Sequence, residues 1–85
     1  MINIVQIGYG YWGKNVAKNI VGAKNMKLRA ICDSSASRLE NARSVYFDMV
    51  EYSLDYKKYL DDPEIDAFAL VIQTEPSYEV AKEIL

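Results

Sequence analysis

Ile2-Asn3-Ile4-Val5-Gln6-Ile7-Gly8-Tyr9-Gly10-Tyr11-Trp12-Gly13 opens as one kind of structure and closes as the start of another. Residues 2–7 are mostly β-branched or apolar and run directly into glycine, the pattern of a buried strand. After Gly13 the apolar residues change period. Val16, Ala17, Ile20 and Val21 fall at helical spacing, with Lys14, Asn15, Lys18 and Asn19 between them. The first unit is therefore a strand, a loop with glycines at 8, 10 and 13, and a helix, for which Gly22 is the expected C-cap.

Outward from this unit, strand-like and helical stretches alternate. Met26 to Cys32 reads as a second strand, with Leu28, Ala30, Ile31 and Cys32 as its apolar members, and it ends at Asp33. Ser34, Ser35 and Ser37 offer N-cap oxygens to a helix running through Arg38, with Leu39, Ala42 and Val45 as apolar positions. Met49 to Tyr52 is a short third strand, and Asp55 can cap a short helix through Tyr56, Tyr59 and Leu60. Asp61-Asp62-Pro63-Glu64 makes a turn, because proline stops a helix and the carboxylates favour local capping bonds.

Ala67 to Ile72 is a continuous apolar strand, as expected where helices cover both faces of a parallel sheet. Glu75-Pro76-Ser77 then opens a final helix with Val80, Ala81, Ile84 and Leu85 on its apolar face. This alternation predicts an α/β fold with right-handed crossovers. The expected form is a Rossmann-type, doubly wound parallel sheet truncated to about four strands in the order 3-2-1-4.

The glycine spacing by itself also fits a structural turn. Its context is more specific: the loop follows a strand, opens a helix, and is followed by an acid 20 residues after Gly13, at the end of the next strand. Each glycine then has a task. Gly8 permits the tight turn, Gly10 lets the backbone approach a pyrophosphate, and Gly13 lets helix and sheet pack without a Cβ between them. The amides near Gly10 to Gly13 and the positive end of the helix dipole supply an anion site.

Asp33 is placed to accept hydrogen bonds from adenosine ribose hydroxyls. Its charge would repel a 2′-phosphate, which favours NAD over NADP. Ser34, Ser35 and Arg38 are residue types that can hold a 2′-phosphate if Asp33 turns away, and Arg38 also reads as a solvated helix position. Tyr11 and Trp12, inside the loop, either flank the cofactor or cover the sheet edge. Cys32, next to Asp33 in a buried strand, reads as a packed, inert thiol. The tyrosines between Tyr46 and Tyr59 read as packing residues, without the basic groove of a base-stacking platform.

Composition bounds the rest. Eighty-five residues, 51% hydrophobic and 26% charged, suit a single globular domain. A net charge of −2 gives no basic field for nucleic acid or anionic lipid. The longest apolar run is far too short for a bilayer, and nothing resembles a secretory signal. One cysteine forms no internal disulfide, and a cytoplasmic setting is expected. No metal-ligand cluster and no catalytic residue stand out.

The segment Val5 to Asn15 (V-Q-I-G-Y-G-Y-W-G-K-N), followed by A-I-C-D-S-S-A-S-R-L-E and D-D-P-E-I-D-A, resembles the start of the Gfo/Idh/MocA oxidoreductases, relatives of glucose–fructose oxidoreductase and inositol dehydrogenase. The resemblance covers essentially the whole chain but only the first part of a family member. It implies a Rossmann domain followed by a substrate domain, and oxidation or reduction of sugar-like alcohols with NAD or NADP. Carried over by residue, Gly8, Gly10, Trp12 and Gly13 match the pyrophosphate loop. Asp33 and Arg38 match the adenosine-ribose region, and Thr74 matches a threonine near the nicotinamide.

There are departures from the family's pattern. The segment Gln73 to Glu79 is shortened, and the chain has no histidine. The family's E-K-P motif, with its catalytic lysine, falls beyond Leu85, and Glu75-Pro76 is not that motif. The expectation is a cofactor-binding domain over residues 1–85 without a substrate domain, inactive alone because nothing moves the hydroxyl proton in hydride transfer. The alternative is a stand-alone, non-catalytic nucleotide-binding or interaction module. An apolar edge strand at 67–72 further predicts a homo-oligomer, through that edge or by exchange of the final helix.

Overall fold

The structure is a computed structural model and describes residues 1–71. It contains a four-stranded parallel sheet in the expected order. Strands β1 (Ile2–Ile7), β2 (Met26–Cys32), β3 (Glu51–Ser53) and β4 (Ala67–Leu70) lie as β3-β2-β1-β4. Helix α1 (Tyr11–Gly22) joins β1 to β2, and α2 (Ala36–Tyr46) leads from β2 towards β3. Short 3₁₀ turns occupy Phe47–Met49 and Tyr56–Tyr59.

The central strand is buried on both faces because its side chains alternate between two layers. Ile4 packs with Leu28 and Ile31 against Ala17 and Ile20 of α1 and Leu39, Ala42 and Tyr46 of α2. Val5 and Ile7 face the other way, with Ala30, Cys32 and Tyr59. Burying an aliphatic side chain of this size stabilises the fold by about 2 kcal/mol, so the sheet centre carries much of the stability.

The uneven apolar pattern of β2 has a cause in the backbone. Ile4 pairs with Leu28 but Val5 with Ala30, so Arg29 is an extra residue in the ladder. This bulge switches the faces: Leu28 and Ile31 share one layer, Ala30 and Cys32 the other. Arg29 reaches Glu64 at 3.6 Å.

Several expectations are corrected. Gly22 does not cap α1; it is the last helical residue, and Ala23, in extended conformation, caps the end by donating its N–H to Ile20 O. The chain leaves without a left-handed residue, so glycine has no conformational task there. Val45 is 56% exposed, and Tyr46 takes the inward place expected of it. Seven residues after Leu39 the helix has turned almost exactly twice, which returns Tyr46, not Val45, to the sheet. The third strand starts at Glu51 rather than Met49, because Met49 ends the 3₁₀ turn that follows Phe47.

The helix expected through Tyr56 and Tyr59 is a 3₁₀ turn, capped as anticipated by Asp55, whose side chain accepts the Lys57 N–H. Its Tyr59 packs on the face opposite Tyr46, so the tyrosines of this region divide between two layers. At the turn before β4, Asp62 Oδ1 accepts the Glu64 N–H at 2.9 Å. β4 pairs only with β1 among the described residues, and its side chains are half-buried or exposed rather than covered on both faces. Ile72, Thr74 and the expected final helix lie outside the described residues.

Candidate functional site

The site gathers where β1 and β2 end and both helices begin. β1 turns sharply at Gly8, whose φ of 106° lies in the left-handed region open to glycine. The Gly8 N–H still extends the sheet ladder, donating to Cys32 O at 2.7 Å. Tyr9 follows with its ring buried among the residues packed under both helices, while its N–H donates to Asp33 Oδ2 at 2.8 Å. Burial, together with Tyr46 and Tyr52 nearby, raises the Tyr9 pKa, so its phenol stays neutral.

Gly10 is the N-cap of α1 and provides no side-chain acceptor. The first amide to bond back is Lys14 N–H, to Gly10 O at 3.3 Å. The amides of the preceding turn therefore have no acceptor within the helix, and they gather at its positive end. Tyr11 and Trp12 project from this turn, 78% and 58% exposed. Their rings meet edge to face at 5.4 Å. Neither ring is buried against the sheet among the described residues.

Gly13 sits where helix and loop touch. A Cβ on it would lie 2.6 Å from Gly8 O, a backbone atom with no rotamer to escape into. Gln6 is beneath them, 0% exposed. Its Nε2 donates to Gly8 O and to Gly13 O, both at 2.8 Å. Gln6 Oε1 accepts no hydrogen bond among the described residues. Sequence reasoning assigned no role to Gln6. The available signal was a polar residue two positions after Ile4, on the same inward face of an apolar strand.

Asp33 closes β2, and its carboxylate spans the two helix starts. Oδ2 takes the Tyr9 N–H, and Oδ1 takes the Ser35 N–H at 2.9 Å. A carboxylate has about four lone-pair sites, so each oxygen keeps acceptor capacity. Arg38 lies beside the same carboxylate, its Nη1 3.8 Å from Asp33 Oδ2. Its guanidinium carbon would be 3.6 Å from a Cβ at Gly10. The Arg38 side chain is 55% exposed, so an ion pair of this length contributes little and leaves the side chain free to move.

Ser35 caps α2, its Oγ accepting the Arg38 N–H at 3.4 Å and lying 3.0 Å from Ser37 Oγ. Ser34 is exposed beside them. Cys32, next to Asp33, is buried. Burial pushes its thiol up to about 12, against an opposing pull from Lys58, so it stays protonated and unreactive. The structure thus brings Gly8, Gly10, Tyr11, Trp12, Gly13, Asp33 and Arg38 into one corner. Among the described residues, no His, Cys, Asp and Glu side chains converge as a metal site. No described helix is long and apolar enough to cross a membrane.

Known proteins resemble this chain in sequence and in fold. Residues 2–85 match the Gfo/Idh/MocA family model, described as an oxidoreductase family with an NAD-binding Rossmann fold. The uncharacterized oxidoreductase YrbE of Bacillus subtilis is 36% identical over 78 residues, which are 91% of this chain and 22% of that protein. The scyllo-inositol dehydrogenase of Lactobacillus casei, solved with bound NAD(H) and scyllo-inositol, superposes with a TM-score of 0.74 at 26% identity, over 99% of this chain and 26% of that one. An NAD-binding protein from Listeria innocua gives a TM-score of 0.83 at 22% identity, over 98% of this chain and 24% of that one, a likeness of fold alone. The chain therefore spans about a quarter or less of these relatives.

Proposed function

We propose a function for this chain from the premise that it belongs to the Gfo/Idh/MocA oxidoreductases and is an NAD-binding Rossmann domain of that family. It supplies the cofactor-binding part of a dehydrogenase acting on a CH–OH group of a sugar or polyol, with NAD(H) preferred to NADP(H). The observation that carries this reading is the pairing, at one corner of the sheet, of an uncapped helix start at Gly10 with the carboxylate of Asp33.

The residues present fit a dinucleotide. The bare backbone at Gly10 allows close approach, and the first-turn amides of α1 offer donors to a pyrophosphate. Asp33 retains acceptor capacity for ribose hydroxyls while its charge disfavours a 2′-phosphate. Arg38 must swing away from Gly10 to admit a ligand. From its position beside Asp33 it can then pair with a phosphate group. Tyr11 and Trp12 form an aromatic wall above the helix start, and Thr74, outside the described residues, is assigned to the nicotinamide half.

The bound cofactor would supply the hydride chemistry. A proton carrier for the substrate hydroxyl is not evident in these 85 residues, which lack histidine, so this part is proposed to be inactive by itself. The polyol substrate class rests on the family and on the inositol dehydrogenase neighbour.

Titration with NADH and NADPH, followed by Trp12 fluorescence, tests the reading. A saturable change with NADH at lower concentration than with NADPH is expected. No change at millimolar cofactor overturns the binding assignment, and tighter NADPH binding overturns the stated preference.

A further inference from the structure

We propose that Gln6 is a positioning residue for the dinucleotide site, setting the pyrophosphate loop and the ribose carboxylate together from beneath. This deepens the binding function proposed above and rests on it. Gln6 is no glycine of the motif, and it meets the start of α1 only from the buried side, through Gly13 O. Its effect passes through two peptide planes.

In a trans peptide the C=O and the N–H point in opposite directions. The Gly8–Tyr9 peptide is held at both ends: Gln6 Nε2 donates to Gly8 O at 2.8 Å, and Tyr9 N–H donates to Asp33 Oδ2 at 2.8 Å. The Gly13–Lys14 peptide is held in the same way. Gln6 Nε2 donates to Gly13 O at 2.8 Å, and Lys14 N–H donates to Gly10 O at 3.3 Å. One buried amide thus fixes the carbonyls of the first and last glycines of the loop. Through them it also sets the direction of the N–H that holds Asp33 and of the one that closes the first turn of α1.

The amide orientation is forced. A Gln6 turned over would set its oxygen against two carbonyl oxygens. Gln6 also makes a poor choice for packing alone, because its Oε1 is buried and accepts no hydrogen bond among the described residues. An apolar residue of that volume would fill the layer beside Ile4 without that cost. The two donor bonds are what the polar side chain adds, and both go to the loop. Linked bonds of this kind polarise one another, which strengthens the hold of Tyr9 N–H on Asp33.

The test compares wild type with Gln6→Met, which keeps the length without the donors, and with Gln6→Asn, whose amide is one methylene short of both carbonyls. Amide exchange in the cofactor-free chain reads the two peptide planes directly, and NADH titration reads the consequence. The expected result is faster exchange at Tyr9 and Lys14 with protection retained at Ile31 in β2, and NADH affinity weakened at least tenfold. Unchanged exchange at Tyr9 and Lys14, or unchanged affinity, in either folded variant overturns the proposal. So does a uniform loss of protection across the sheet in both variants, which would make Gln6 a general core residue. Absence of NADH binding by wild type defeats the proposed function instead, and with it this role of Gln6; the exchange pattern then reports only whether Gln6 holds the loop.

Discussion

The two helices of the described fold start at the same end of the parallel sheet and are finished in opposite ways. α2 closes itself. Ser35 Oγ accepts the Arg38 N–H, and Asp33 Oδ1 takes the Ser35 N–H, so side chains of the chain take the N-cap amide and one amide of the first turn. α1 begins at Gly10 with no side-chain cap, and neither helix has an acid in its first turn. Each helix end presents the same orphan amides and the same dipole, so the difference lies in what the sequence puts beside them. A start that supplies its own acceptor is a structural end. One that withholds it, next to a glycine bare enough for close approach, is suited to an acceptor from outside.

Gly13→Ala should have the largest effect, because it moves the whole α1 start. The added Cβ would meet Gly8 O at 2.6 Å and Gly8 C at 3.1 Å, both backbone atoms. Overpacking of this kind costs about 2–3 kcal/mol, read as a lower urea midpoint, and NADH binding should be lost with it. Retention of both would show that helix and loop are not in contact as described.

Gly10→Ser is the sharper experiment, since it gives α1 the cap that α2 already has. Gly10 has φ −80° and ψ −154°, which other residues adopt readily, and its Cβ position makes only ordinary contact with Arg38. Stability should rise or stay within about 0.5 kcal/mol of wild type, as cap replacements between glycine and serine do. NADH affinity should fall about tenfold or more, equivalent to about 1.4 kcal/mol, because the new side chain occupies the approach and competes for the amides. Undiminished binding would remove the distinction between the two helix starts.

Much of this corner was legible in the sequence because its signals are local. Gly8 reports a left-handed φ and Gly13 a contact with no room for a Cβ, while the apolar strand before them and Asp33 at the next strand end fix where that turn sits. The parallel sheet followed from alternation, and its order 3-2-1-4 from the Rossmann type of doubly wound sheet. The failures came where the outcome depends on a neighbour in space. Val45 and Tyr46 are both apolar enough for the sheet, and only the phase of α2 against β2 selects Tyr46. The bulge at Arg29 reassigns the faces of β2, yet a single strand read alone carries no sign of a skipped partner. Gln6 was passed over for a related reason. Its donors serve Gly8 and Gly13, and the latter is brought near only when α1 folds back on the loop.

The smallest expected effect is the counterpart to Gly10→Ser, the removal of the cap on α2. Ser35→Ala deletes the acceptor for Arg38 N–H, a contact already long at 3.4 Å. The Ser35 N–H bond to Asp33 is a main-chain donation and survives the substitution. Stability should therefore drop by about 0.5–1 kcal/mol, towards the low end for an N-cap. NADH affinity should stay within about twofold of wild type, well below the 1.4 kcal/mol of a tenfold change. If affinity instead fell as far as in Gly10→Ser, the hydroxyls of α2 would belong to the ligand site, and the α2 start would cease to be purely structural. An equal fall for NADPH and NADH would then point to shared contacts near the pyrophosphate, whereas a selective fall for NADPH would locate those hydroxyls at the 2′-phosphate.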